Sequence, residues 1–287
     1  MAVTGRSATA TRRRADGGPS ARALLISVLG QWVGPSETPV WTSTLVGALD
    51  ALGIEERAAR QAINRTASDG WLASESVGRY TRWRLTASGR RLLGSATARV
   101  TRSLVTETDD WDGTFGLLVL VEPVADRATR DRLASGLDFE GFGALGANVW
   151  VTVGTTDRPG VDAVLESCGL ADATLRFQAR TVAGVESAAE VVALAWDLEP
   201  AAEAQRAFIA EFAPARPADD REAFALRTRM AHEWRELLSL DPSLPARLLP
   251  PDWPGAEARS VFQRRYTEWA EAATTFYTAL SEDPVTS

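Results

Sequence analysis

The chain contains no lysine, one cysteine and one histidine, and no long apolar run. With Cys168 alone, neither an internal disulfide nor a cysteine metal cage can form. With His232 alone, a multi-histidine zinc site and an HExxH motif are excluded. No G-x-S-x-G occurs, so conventional nucleophilic catalysis has no visible apparatus. The best apolar runs, 116–121 and 191–196, fall far short of the roughly 18 residues a membrane helix needs. The first residues also lack the apolar centre of a signal peptide, and a reducing cytoplasm is the expected compartment.

What is present is arginine, and it is unevenly placed. Residues 1–105 hold 15 arginines against seven acids, a balance of +8. Residues 106–287 hold 16 arginines against 31 acids, a balance of -15. Such a division points to a basic module for a polyanion, joined to an acidic body with another task. At roughly 150 residues per domain, 287 residues suit two or three modest domains.

Residues 1–19 are small, polar and basic without hydrophobic period, and are expected to form a disordered arm whose Arg12-Arg13-Arg14 run could track phosphate. From Ser20, a candidate N-cap, Leu24, Leu25, Val28, Leu29 and Trp32 recur at helical spacing until Gly34-Pro35. Helices are then expected over 41–52 and 54–68, joined at Gly53, with short strands at 71–75 and 80–86 about a Gly78-Arg79 turn. With a following helix at 88–105, residues 20–105 read as a winged helix-turn-helix. The composition changes at the acidic stretch before Gly113, and 106–186 alternates strand and helix in the manner of a small split-βαβ, ferredoxin-like α+β domain. Residues 187–287 carry three helical stretches, at 187–213, 219–240 and 255–281, and are expected as an all-helical domain.

On the expected third helix, Arg57, Arg60, Gln61, Asn64 and Ser68 share one face, opposite Ala58, Ala62 and Ile63, with Arg65 beside them. Arginine pairs with guanine O6 and N7, and Asn or Gln with adenine N6 and N7, in a groove that admits a helix. Double-stranded DNA is the expected partner. Arg79, Tyr80, Arg82 and Arg84 on the hairpin would add phosphate contacts. Other motifs are weaker. The glycines of 141–146 match the letters G-x-G-x-x-G, but follow a helix and precede a strand, so they read as a connection and not a nucleotide site. Asp109, Asp110, Asp112 and Glu122 flank the first strand of the middle domain, which leaves a metal-dependent nuclease as the alternative function, beside an acyl-CoA-processing enzyme. His232 falls off the apolar stripe Leu226, Met230, Trp234, Leu237 and Leu238, and is expected to be a solvated or interface histidine, or a ligand contact.

Taken in order, the segments SARALLISVLG, VWTSTLVGALDALGIEERAARQAINR, GRYTRWRLTASGRR, WDGTF, FEGFGALGANVWV and FALRTRMAHEWRELLSLDPSLPARLLPPDWPG resemble the PaaX-type repressors of phenylacetate degradation. The last, with Arg227-x-x-x-x-His-Glu-Trp-Arg235, is the most specific. The chain departs from the family pattern at Asn64, Thr66-Ala67 and Trp83. The resemblance implies an N-terminal winged helix, a Cas2-like middle domain and a helical C-terminal domain. It also implies a homodimeric repressor, with neither cofactor nor metal, released from its operator by an aryl-CoA thioester such as phenylacetyl-CoA. Because coenzyme A carries phosphates, Arg229, His232 and Arg235 are the expected contributors to its site.

Overall fold

The structure, a computed structural model, describes residues 18–36, 38–104, 111–181 and 188–282. Arg12-Arg13-Arg14, Asp109 and Asp110 lie outside the described residues. Those within Thr11–Val105, Gln205–Leu237 and Gly255–Ser287 gather into one compact unit; those within Thr106–Ala204 and Leu238–Pro254 gather into another.

The chain enters the first unit through α1 (Ala21–Val28), where the Ser20 side chain accepts from Ala23 N at 3.2 Å. The helix does not stop there. It widens into a π-helical turn over Leu29–Val33, closed where Gly34 N donates to Leu29 O at 2.8 Å. A two-residue strand β1 (Val40–Trp41) follows, then α2 (Thr42–Ala51) and α3 (Glu56–Ser68). The joint between these two helices turns at Gly53, whose φ of 74° is a left-handed conformation that a side chain would strain. Strands β2 (Leu72–Val77) and β3 (Tyr80–Leu85) form a hairpin in register Val77↔Tyr80, with Gly78 at φ 58° as the first of two turn residues. β1 completes the antiparallel sheet in the order β1-β3-β2, and α4 (Ala87–Leu104) follows.

The second unit holds β4 (Phe115–Leu120), α5 (Arg127–Phe139), β5 (Gly143–Ala144), β6 (Val149–Val153), α6 (Pro159–Cys168) and β7 (Thr174–Ala179). The sheet order is β5-β6-β4-β7, with every neighbour antiparallel. Leu133, Leu137, Val161 and Leu165 of α5 and α6 pack on Leu118, Leu120 and Trp150. The opposite face buries Phe115 and Val151 under Val192 of α7 (Ala188–Ala195), Trp196, Leu244 and Leu248. The glycine-rich stretch 141–146 is an edge strand and its turns. A Cβ at Gly143 would stand 2.6 Å from Ala195 O and 2.7 Å from the Trp196 ring, so that glycine is there for packing.

The expected helix over 187–213 is two helices, α7 and α8 (Glu199–Phe212); α9 (Asp220–Leu240) follows. The expected helix over 255–281 is likewise broken at Trp269 into α10 (Gly255–Glu268) and α11 (Ala270–Leu280). These late helices complete the core of the N-terminal elements: Phe224 and Ala273 are buried with Leu24, Leu25, Leu45, Leu49 and Ile63, and Phe276, Tyr277 and Leu280 pack against them. Thr44 of α2 donates its hydroxyl to Leu280 O at 2.8 Å. On its other side, α9 places Trp234 against Phe208 and Phe262, at 5.4 and 4.9 Å between ring centroids. Sequence and structure agree on a mixed α+β chain with a helical C-terminal part.

Candidate nucleic-acid interface

α3 is amphipathic in the simplest way. Ala59, Ala62, Ile63 and Thr66 are buried, while Arg57, Arg60, Gln61, Asn64, Arg65 and Ser68 are all exposed. Of the apolar residues the sequence pattern named, Ala62 and Ile63 are buried and Ala58 is half-buried, while Thr66 joins the buried side. Thr66 is admitted to the core because its hydroxyl donates to Ala62 O at 2.8 Å. The exposed side therefore presents three guanidiniums and two carboxamides, anchored by an apolar stripe that fixes the helix axis. Arg60 Nε donates to Glu56 at 2.8 Å, an exposed i,i+4 pair that water and ions screen.

The hairpin next to it is less freely basic than its composition implies. Arg82 donates to both Glu75 oxygens, at 3.1 and 2.8 Å, across directly paired positions of β2 and β3. That guanidinium holds the Glu75 carboxyl below its ordinary value. Arg79 donates to Tyr80 Oη at 2.6 Å and lies over the Tyr80 ring, whereas Arg84, opposite Ala73, is exposed.

In the same unit, α9 carries the residues expected to hold an effector. Arg229 pairs with Glu211. His232 is not solvated: it is 5% exposed, its Nδ1 lying 3.2 Å from Ser27 Oγ on α1. Of the other two expected contributors, Arg235 is the side chain that reaches it. Its Nη2 donates to Ser27 Oγ at 2.6 Å and contacts His232 Nδ1 at 3.2 Å. An arginine has only N–H to offer, so His232 Nδ1 is the acceptor and the ring is neutral with its proton on Nε2. Burial first, and then the Arg235 charge, push the His232 pKa down to about 4. One turn along, Trp32 Nε1 donates to Thr228 Oγ1 at 3.1 Å and Gln31 Nε2 to Thr228 O at 3.4 Å. Arg227 Nε donates to Tyr266 O at 3.1 Å, with its guanidinium 3.7 Å from the Tyr266 ring and 5.2 Å from the Trp32 ring. Sequence reasoning missed Ser27 and Thr228, and had Arg227 only as part of the motif that ends at Arg235. Only the polar residue inside the apolar repeat of α1, Ser27, gave a signal that a second element covers it.

The acidic candidates in the other unit do not converge on an ion. Asp112 accepts from Thr114 N at 2.8 Å and from the Thr114 hydroxyl, and these bonds hold its carboxyl below the ordinary range. Among the described residues, no group of three His, Cys, Asp or Glu side chains stands where it could hold a metal. No described helix is long and apolar enough to cross a membrane.

Comparison with known proteins bears on the whole length. Residues 20–89 match the PaaX-like protein family, 108–192 the PaaX protein central Cas2-like domain, and 196–279 the PaaX-like protein C-terminal domain. The transcriptional repressor PaaX of Escherichia coli is 29% identical over 276 residues, covering 93% of this chain and 85% of the relative. Among solved structures, the uncharacterized protein Rv0674 from Mycobacterium tuberculosis is 28% identical, with a TM-score of 0.64 over 91% of this chain and 98% of that one. With all three regions matched in order, the chain belongs to the PaaX-like family.

Proposed function

We propose that the protein is a DNA-binding transcriptional repressor that reads an operator with α3, a winged-helix recognition helix, and is released by an aryl-CoA thioester of the phenylacetyl-CoA kind. The observation that carries the reading is the exposed Arg57, Arg60, Gln61, Asn64, Arg65 and Ser68 face of α3, held by the buried Ala59, Ala62 and Ile63. A side chain can read a base edge only if it stands clear of its own fold, and these six do. The hairpin beside α3 is the wing, where Arg79, Tyr80, Arg82 and Arg84 meet phosphate. Likeness to a named repressor supports the same reading.

The active species is a two-fold homodimer, since one recognition helix reads few base pairs. β7 supports this: it is the outer strand of its sheet, and its Leu175 and Phe177 are 50% and 49% exposed. His232 and Arg235 are the contributors to the effector site that the geometry favours; Arg229 contributes only by leaving Glu211. The regulated genes are those for breakdown of an aromatic acid activated as its thioester.

Selection from a pool of random duplexes tests the reading. The full chain should enrich a palindrome whose half-sites lie one or more helical turns apart, and phenylacetyl-CoA should release it. Failure to enrich any sequence would overturn the proposal.

A further inference from the structure

One side of α9 meets α1 through His232 and Arg235 on Ser27, the π turn through Thr228 on Gln31 and Trp32, and Tyr266 and Trp32 through Arg227, and it carries two guanidiniums. Of the acids of this helix, Glu222 bonds Ala218 N, and Glu236 is exposed, its charge favouring that of Arg235 beside it. Arg221 and Arg229, on its other sides, have carboxylate partners in Asp50 and Glu211. Arg227 and Arg235 do not stand within ion-pair distance of a carboxylate among the described residues. They are satisfied by neutral acceptors instead: Tyr266 O for one, Ser27 Oγ and His232 Nδ1 for the other. Neutral acceptors satisfy the N–H groups but leave the Arg227 charge in a poorly solvated place without an opposite charge, and the Arg235 charge with only the neighbouring Glu236 to favour it, which is a standing cost. The cost shows in both guanidiniums, whose pKa burial lowers. Both are only half-buried, so an anion can reach them without opening the core.

We infer that Arg227 and Arg235 form a two-point anion site for a small molecule with two separated phosphate centres, of which coenzyme A, with its pyrophosphate and its ribose phosphate, is the example at hand. The spacing decides the class. Eight residues at ~1.5 Å each put the two positions about 12 Å apart along α9, too far for one phosphate to bridge. The rings of Trp32 and Tyr266 against Arg227 give one end of the site an aromatic wall. The other end touches the fold directly. An anion that takes Arg235 takes it from Ser27, and Ser27 sits on α1, whose Leu24, Leu25 and Val28 share a core with Ala59, Ala62 and Ile63 of α3. The inference rests on the effector reading above and names the residues and the part of the thioester they would hold.

Calorimetry on the full chain tests it with four probes: phenylacetyl-CoA, coenzyme A, dephospho-coenzyme A, which lacks the ribose phosphate, and pyrophosphate. Arg227→Gln and Arg235→Gln should each weaken coenzyme A binding at least tenfold, while Arg221→Gln, paired with Asp50, changes it less than twofold. Dephospho-coenzyme A should bind more weakly and respond to only one of the two arginine variants. Ser27→Ala, a small change in a helix, removes the competitor for Arg235 and should tighten coenzyme A binding; Arg227→Lys should restore part of what Arg227→Gln loses. If coenzyme A binds but both glutamine variants bind it as the parent does, or Ser27→Ala weakens it, the site is wrong and the effector reading stands. If pyrophosphate binds, is weakened by one of the two glutamine variants, and no coenzyme A compound binds, the anion site stands and the effector reading falls. If none of the four probes binds, both fall.

Discussion

Arg82 and Arg84 stand two residues apart on one strand and face different electrostatic situations. Glu75 travels with Arg82, whose two hydrogen bonds to it leave little net charge for phosphate. Arg84 is exposed opposite Ala73. Arg84→Ala should therefore flatten the slope of log affinity against log salt by about one, and Arg82→Ala by clearly less. Anisotropy titrations at several salt concentrations check this, and equal slopes for the two variants would contradict it. His232 makes a separate prediction about stability. Its folded pKa of about 4 lies below the ordinary 6.5, so the unfolded chain binds the extra proton as the pH falls through that window. Its contribution is complete above 6.5 and is lost towards 4, with about 2 kcal/mol gone between pH 7 and pH 5. Urea melts at the two pH values should show this loss in the parent and a smaller one in His232→Gln, whose amide oxygen can still accept from Arg235.

At the scale of the element, the α3 face could be read from sequence because a helix with one buried side obeys a single period. α9 could not, because it is buried on two sides. Its Trp234 meets Phe208 and Phe262, while His232 is buried against α1 and Thr228 against the π turn that follows it, so the apolar stripe alone left His232 as a solvated, interface or ligand-contacting residue. β1 and β5 are two residues each, too short for an alternating pattern to register, and the π turn at Leu29–Val33 leaves the residue periodicity of its helix nearly intact. The joining of α11 to α2 through Thr44 and Leu280 spans most of the chain and has no local signature. It does have a consequence. A fragment of residues 18–104 loses Phe224, Phe276, Tyr277 and Leu280 from its core, and should melt less cooperatively and at a lower temperature than the same helices in the whole chain. Circular dichroism melts of the two decide it; an equal midpoint would mean that the C-terminal helices are dispensable.

For the whole molecule, in the proposed repressor the excess of arginine in residues 1–105 would supply the sequence-independent pull on DNA, and the -15 balance of the remainder would keep that pull confined to one module. The proposed homodimer would double the reading surface. If β7 is the dimer edge, Phe177→Asp should shift the protein from dimer to monomer in sedimentation at micromolar concentration, and a dimer unchanged by it would send the interface elsewhere. The central claim remains that α3 reads bases. On the duplex that selection enriches, Asn64→Ala and Arg60→Ala should each cost roughly 1–3 kcal/mol and relax the preference at a single base position, while leaving affinity for random duplex within about twofold. Equal losses on the enriched and random duplexes, with every base preference intact, would contradict the account.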